Sequence, residues 1–273
     1  MRSPRFTTRM SPPQSLKVAN IIEEGRYGGP QARITTVAAR LKEHGIETIV
    51  VFPRENSDVF DQKLADGGVR RRRLQLHRIT RQKAHLLRFA LFFLPDLLSL
   101  HRVIKQERVA VVHCNSARQM KGLIASRLAG AKVIWHLNDT EKLPFLLNVA
   151  FKIVARYFCD AFILSGERVK EFYAQHNDFD FNHARLRQTP ATIIRPPVDC
   201  QTFNPAAVVD GANLLPKQNG RLSITTVGNV NPHKGLEYFI EMAHLLNQKH
   251  QDIDFFIVGA YLKSQQQYLD RLL

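Results

Sequence analysis

The chain has 273 residues, 44% of them hydrophobic, and carries 39 Lys+Arg against 24 Asp+Glu for a formal net charge of +15. That apolar content excludes intrinsic disorder, and the length admits one large domain or two modest ones with a substantial core. The positive balance favours an anionic partner, whether nucleic acid, an anionic membrane face or a phosphorylated substrate, and its sign alone does not choose among them. Cys114, Cys159 and Cys200 are odd in number, widely spaced and outside any CxxC or Cys/His spacing. They exclude a disulfide framework and a zinc site, and suit a reducing cytoplasm.

Residues 1–15 are rich in Arg and Pro and have no apolar h-region, so they read as a disordered lead and not as a secretory signal. Leu16 to Ile22 is a short apolar run, expected to be a buried strand. Gly28-Gly29-Pro30 follows, then a helical pattern with Ile34, Val37, Ala38 and Leu41 on one face, closing at Gly45. Ile46 to Phe52 is the next strand, stopped by Pro53, and Val69 to Ile79 reads weakly as another. From Ala84 to Arg108 the pattern is helical, kinked or broken at Pro95. Pro95 and Asp96 also interrupt Ala90 to Leu100, the nearest approach to a membrane span, and no stretch reaches ~18 uninterrupted apolar residues.

VAVVH (109–113), KVIWH (132–136), AFILS (161–165) and ATIIR (191–195) are β-rich runs separated by helical segments. This alternation specifies an α/β fold with a doubly wound parallel sheet, Rossmann-like, whose ligand lies at the carboxyl ends of the strands. Gly28, His113, His136 and Ser165 all fall on that edge. From Pro196 the chain is rich in Pro, Asn, Asp and Gly. The expected division is an N-terminal domain over 16–205, a linker over 206–220 and the start of a second domain over 221–273. That second domain opens with a strand at Leu222 to Val227, a helix from Leu236 to His250 and a strand at Ile253 to Val258. Another helix begins at Gln265, so the second domain is expected to be incomplete.

Gly28 and Gly29 lie between the first strand and the first helix, where glycine lets the backbone approach a ligand and aims helix amides at an anion. The alternative is a plain tight turn. Val227 to Gly235 (VGNVNPHKG) joins a strand to an amphipathic helix and puts Lys234 where its ammonium and the helix dipole both face a diphosphate. A Lys-Gly turn is the bland reading there.

VGNVNPHKGLEYFIEMAHLL followed by FFIVGAYLKSQQQYLDRLL resembles the opening of the donor-binding domain of glycosyltransferase family 4. YGGPQARITTVAARLKEHGIETIVVFP, VVHCNSARQMKGLIASRLAGAKVIWHLNDT, ILSGERVKEFY and IIRPPVDCQTFNP are similar to that family's first domain, in the family's order. The resemblance covers Leu16 to Leu273. It implies a GT-B fold and a retaining transfer of a sugar from a nucleoside-diphosphate sugar, with no metal and no cofactor. It assigns Gly28 and Gly29 to the donor phosphates, His136 to a hydroxyl of the transferred sugar, and Lys234 to the leaving diphosphate. Asn229 stands where the family usually has an arginine, so one diphosphate contact is weaker or replaced. The family's acidic pair for the donor sugar and ribose would lie beyond Leu273. The chain is therefore expected to be a fragment of a full enzyme or, alternatively, a truncated non-catalytic homologue that binds an acceptor.

Asn138, Asp139 and Ser165 are acceptor-side candidates, with a turn or helix cap as the alternative role for each. A structural part is expected for His113. No GxSxG is present, so a serine nucleophile is not expected. Arg70, Arg71, Arg72 and Arg73, with His77, Arg78, Arg81, Lys83 and Arg88, form the strongest basic cluster, beside Leu86, Leu87, Phe89, Leu91, Phe92, Phe93 and Leu94. Such a pairing suits an anionic membrane surface on a cytoplasmic, peripheral protein; a solvated basic face over a packed helix is the alternative. Nucleic acid is not an expected partner, since no RRM, helix-turn-helix or zinc signature accompanies the charge. A lipid-linked or polysaccharide acceptor in cell-surface glycan synthesis fits the family by analogy.

Overall fold

A computed structural model of the protein describes residues 16–79, 83–181, 189–201, 203–204, 220–261 and 265–273. The expected lead and, but for Gly220, the expected linker lie outside the described residues. The chain divides into two compact units, one ending at Val198 and the other beginning at Asp199.

The first unit is built on seven parallel strands, β1 (Lys17–Ile21), β2 (Glu47–Pro53), β3 (Arg70–Leu74), β4 (Val111–Asn115), β5 (Lys132–Leu137), β6 (Ala161–Leu164) and β7 (Ala191–Ile193). They lie side by side in the order β3-β2-β1-β4-β5-β6-β7. The chain winds outward from β1 to β3, then crosses back and winds the other way from β4. The switch point between β1 and β4 is where an open sheet of this kind leaves a crevice beyond its carboxyl ends.

Side-chain alternation sorts the helices into two layers. Val50 and Phe52 of β2 pack with Ile34 and Ala38 of α1 (Gly29–Glu43) and with Phe60 and Leu64 of α2 (Asp58–Asp66). Their neighbours Ile49 and Val51 turn to the opposite face. There they share one core with Val112 and Cys114 of β4, Val133, Trp135 and Leu137 of β5, and Phe162 and Leu164 of β6. That core is closed by α4 (Phe93–Gln106), α5 (Met120–Leu128), α6 (Phe145–Phe158) and α7 (Glu167–Asn177). Burying the larger face completely supplies most of the driving force, at about 25 cal/mol per Å² of apolar surface removed from water.

The long helix expected over 84–108 is two helices, α3 (Lys83–Leu91) and α4, and the break falls at Phe92 rather than at Pro95. Proline has no N–H to continue the ladder from α3, whereas in the first turn of α4 its missing donor has no intrahelical partner to lose. Strand β4 runs two residues later than expected, so Asn115, and not His113, ends it. The weak strand expected over 69–79 is confined to β3, and α2 is a helix that the apolar spacing did not announce.

Two charge arrangements hold the periphery. Asp96 and Lys121 form an ion pair of 2.6 Å with side chains 3% and 1% exposed. Asp96 also accepts from the His77 backbone N–H at 2.8 Å, Lys121 donates to the His77 carbonyl, and the Lys121 ammonium lies 4.6 Å from the Phe89 ring centre. Together they tie the segment after β3, the last turn of α3, the first turn of α4 and the first turn of α5 to one point. On the edge strand β3, each arginine of the run has a carboxylate. Arg70 pairs with Glu47 and Glu107, Arg72 with Glu107 at 2.6 Å, Arg71 with Asp61 at 2.8 Å and Arg73 with Asp58 at 2.7 Å. A charged edge also discourages strand-to-strand association with another chain.

The second unit is a βαβ arrangement. β8 (Leu222–Val227) pairs in parallel with β9 (Ile253–Val258), linked through a 3-10 turn at Pro232–Lys234 and α8 (Leu236–Asn247), and α9 (Gln266–Leu272) follows. Val230, Leu236 and Tyr268 form its small core.

Lys121→Met leaves the Asp96 carboxylate buried without its cation and should destabilise the protein by about 3–5 kcal/mol. Arg72→Ala, which removes a half-exposed partner, should cost less than about 1 kcal/mol. Urea unfolding of both variants checks the contrast; equal losses would show that burial does not set the strength of these pairs.

Candidate functional site

The alternation that fills the larger core also decides what faces the other way at the switch point. With Val112, Cys114, Trp135 and Leu137 turned to one side, His113, Asn115 and His136 turn to the α1 side, and so does Asn20 of β1. Strand register places Asn20 beside His113 and Asn115 beside His136. Polar residues thus stand where an apolar layer would otherwise continue. They satisfy one another: the Asn115 amide donates to Asn20 Oδ1 and to the Ile21 carbonyl, both at 3.2 Å.

Arg33 of α1 completes the cluster. Its guanidinium donates to Asn115 Oδ1 at 2.8 Å, to Asn138 Oδ1 at 3.2 Å through both terminal nitrogens, and to His136 Nε2 at 3.0 Å. Among the described residues no carboxylate pairs with it, and burial lowers its affinity for its proton. His136 is 3% exposed. Burial, then the Arg33 charge, then His113 hold it far below the ordinary histidine range. The same first two causes push His113 down to about 4. Both imidazoles are neutral at physiological pH, and His136 Nδ1 lies 2.9 Å from His113 Nε2.

The structure brings several of the residues singled out from sequence to this point. Asn138 is drawn in as the acceptor for Arg33. Ser165 Oγ donates to the Leu137 carbonyl at 3.2 Å and stands 3.5 Å from His136 Nε2, so its first role is to tie β6 to the end of β5. Asp139 is exposed beside them. Gly28 caps α1 with an extended backbone and Gly29 is its first residue; a side-chain carbon built on Gly29 would meet nothing within 4 Å. The first turn of α1 carries no acidic residue and no side-chain cap, so nothing within that turn offsets the positive end of the helix. Gly25, by contrast, is required by packing: a Cβ there would fall 2.3 Å from the Glu55 carbonyl oxygen.

Lys234 and Asn229 belong to the second unit and are both exposed. Lys234 closes the 3-10 turn, where the Asn231 side chain accepts from the His233 backbone N–H, and Gly235 caps α8 at φ 64°. The lysine's aliphatic stem lies over Gly228, at 3.5 Å from where a Cβ would sit. A Cβ on Gly259 would fall 2.0 Å from the Gly228 carbonyl oxygen, so the two strand ends approach as only glycine permits.

Arg33, Asn115 and Asn20 were not singled out from the sequence. A signal existed for two of them: His113, Cys114 and Asn115 alternate polar with apolar residues, and Arg33 lies directly before the apolar stripe of α1.

The model of Glycosyltransferase Family 4 matches residues 27–201. Among solved structures, the chain is similar to a glycosyltransferase from Rickettsia africae ESF-5, at 15% identity and a TM-score of 0.62, over 90% of this chain and 69% of that one. It is similar to a sucrose-phosphate synthase from Thermosynechococcus elongatus, at 13% identity and a TM-score of 0.59, over 90% and 70%. It is also similar to a UDP-GlcNAc 2-epimerase from Neisseria meningitidis bound to UDP-GlcNAc, at 13% and 0.58, over 94% and 69%. A search of curated protein sequences finds no match.

The neutral histidines make stability pH-dependent. A histidine that titrates near 6.5 when unfolded and about 4 when folded binds its proton later in the native state, so its contribution is lost as pH falls from 6.5 toward 4. Glu23, just past β1, has the opposite sign. Burial raises it to about 7 from 4.5, so its contribution is lost as pH rises through that window. Between pH 7 and 5 each amounts to about 2 kcal/mol. His113→Gln should therefore be less acid-sensitive than the wild type, and Glu23→Gln more so. Urea midpoints at pH 7 and 5 check both, and parallel shifts in the two variants would contradict the assignment.

Proposed function

Because the chain belongs to Glycosyltransferase Family 4 and has the GT-B type of fold, we propose that it is a retaining glycosyltransferase. It moves a sugar from a nucleoside-diphosphate sugar to a lipid-linked or polysaccharide acceptor in cell-surface glycan synthesis. The observation that carries this reading is the polar cluster of Arg33, Asn115, His136 and Asn138 at the switch point, on the same sheet edge as the uncompensated N-terminus of α1.

As the sugar leaves the diphosphate, positive charge grows at the anomeric carbon and negative charge on the leaving oxygens. In this reading the amides beside Gly28 and Gly29 and the ammonium of Lys234 receive the negative charge, with Asn229 as a weaker neighbouring contact. Fixed cations and amides lower such a barrier without a metal. Neutral His136 bonds a hydroxyl of the transferred sugar and orients the anomeric carbon. Asn138, Asp139 and Ser165 lie on the acceptor side, and Asp139 is the one of the three that is both charged and exposed.

The acceptor reading is supported by the outer surface of the helical layer that closes the larger core. On α6, Phe145 and Leu146 are 79% and 80% exposed, and Val149, Ile153 and Tyr157 continue the exposed stripe, with Arg156 beside them. On α3 and the start of α4, Leu86, Leu87, Leu91, Phe92 and Leu94 are also exposed, with Arg88 among them. Exposed apolar residues flanked by cations that pair with no carboxylate among the described residues suit the headgroup region of an anionic bilayer. We assign that role to these helices and not to Arg70–Arg73, whose charges are matched by carboxylates. No helix among the described residues is long and apolar enough to cross a membrane, and the reading is of a peripheral protein on the cytoplasmic face.

Calorimetry of the 273-residue chain with UDP- and GDP-sugars tests the donor half of the proposal: micromolar binding supports the catalytic reading, and its absence favours a non-catalytic acceptor-binding protein. In a transfer assay Lys234→Ala should lower kcat by about 10²-fold or more, and His136→Ala should reduce kcat more than donor affinity. On anionic vesicles, Leu87→Glu combined with Leu91→Glu should weaken co-sedimentation by about 10-fold or more, while Arg71→Gln combined with Arg73→Gln leaves it unchanged. The reverse pattern would return the membrane role to β3.

A further inference from the structure

We propose that Arg33 and His113 are positioning residues that hold His136 as its Nδ1–H tautomer, so that Nε2 meets the substrate as a hydrogen-bond acceptor. A guanidinium carries five N–H donors and no acceptor. Arg33 Nη1 stands 3.0 Å from His136 Nε2, so that nitrogen presents its lone pair. The proton of the neutral ring is then on Nδ1, which donates across 2.9 Å to His113 Nε2. His113 in turn carries its own proton on Nδ1. The opposite tautomer would turn the Nε2–H of His136 against an N–H of Arg33.

Ring geometry agrees with this chain of donors. The two imidazole planes lie within 4° of parallel. Parallel rings whose nitrogens approach to 2.9 Å cannot be layered face to face at a van der Waals separation of about 3.5 Å. The contact is therefore edge to edge, with the N–H near the line between the nitrogens. Neither ring prefers the Nδ1–H form intrinsically; the surroundings impose it.

Arg33 is anchored independently of His136. Its Nη2 holds Asn115 at 2.8 Å and both terminal nitrogens reach Asn138 Oδ1. A sugar hydroxyl can consequently replace Nη1 at His136 Nε2 while the guanidinium keeps both asparagines. It would donate its proton to Nε2 and turn its own lone pairs toward Arg33. The pair of contacts, acceptor from His136 and donors from Arg33, matches a hydroxyl and rejects a group that only accepts. This part rests on the reading that His136 meets the transferred sugar; the tautomer itself does not.

The test is a two-bond ¹H–¹⁵N correlation spectrum of the full chain labelled with ¹⁵N-histidine at neutral pH. The cross-peak pattern of the Nδ1–H tautomer is expected for both His136 and His113, assigned by the loss of each set in His136→Gln and His113→Phe. In Arg33→Met the His136 pattern should shift toward Nε2–H, and Arg33→Lys, which restores a donor, should return part of it. In His113→Phe, which deletes the acceptor, the Nδ1–H preference of His136 should weaken. An Nε2–H pattern for His136 in the wild type, or an unchanged pattern in folded Arg33→Met, overturns the proposal. Should Arg33→Met not fold, the wild-type spectrum and His113→Phe decide it. No sugar is transferred in this experiment, so inactivity in a transfer assay and failure of the tautomer assignment are separate results.

Discussion

The period-two alternation of side chains in a parallel strand is the constraint on which the rest depends. Once Val112, Cys114, Val133, Trp135 and Leu137 are committed to the large core, the residues between them have no choice of side. His113, Asn115 and His136 are carried to the opposite face, and β1 adds Asn20 at the register that meets them. A slip of one residue in β5 would turn His136 into the aromatic core and Trp135 out of it. The apolar core is thus what aims the polar site, and the cost of one mispaired strand is far larger than any single hydrogen bond in the cluster.

That polar face would be unfavourable if its members were not mutually satisfied. Buried amides and imidazoles without partners cost about 1–3 kcal/mol each. Here the donors and acceptors close into a connected set: Asn20 with Asn115, Asn115 with Arg33, Arg33 with Asn138 and His136, and His136 with His113. Desolvation that would ionise nothing at neutral pH keeps both histidines uncharged, while Arg33, whose ordinary affinity for protons is much higher, stays cationic. A neutral acceptor beside a fixed cation is the outcome, reached without any carboxylate among the described residues in contact with the guanidinium.

Much of this architecture was legible before any coordinates. The βαβ rhythm, the glycine pair before α1 and the strand-ending histidine of KVIWH led to a doubly wound sheet with its site at the carboxyl edge. What was not legible came from partners distant in sequence. Arg33 and His136 are 103 positions apart, and nothing in either neighbourhood names the other. The break of α3 from α4 was misplaced because proline was weighed as a helix breaker without asking which turn it would occupy. A structural, hydrogen-bonded part for His113 follows from its residue type, but its partner does not: only with β4 running to Asn115 does it lie inside the sheet and beside His136.

The arginines show how far a charge count is from a function. Four consecutive arginines on β3 dominate the sequence and contribute to the net charge of +15, yet each is within ion-pair distance of Glu47, Glu107, Asp61 or Asp58. Their field is largely cancelled within one or two Debye lengths, and a strand edge, not a ligand, accounts for them. Arg33 stands alone in its segment and attracts no notice by count. Its guanidinium nevertheless faces neutral amides and an imidazole lone pair, and no carboxylate among the described residues matches its charge. An anionic or hydroxyl-rich ligand at the switch point would meet the field of that single residue before it met any of the four.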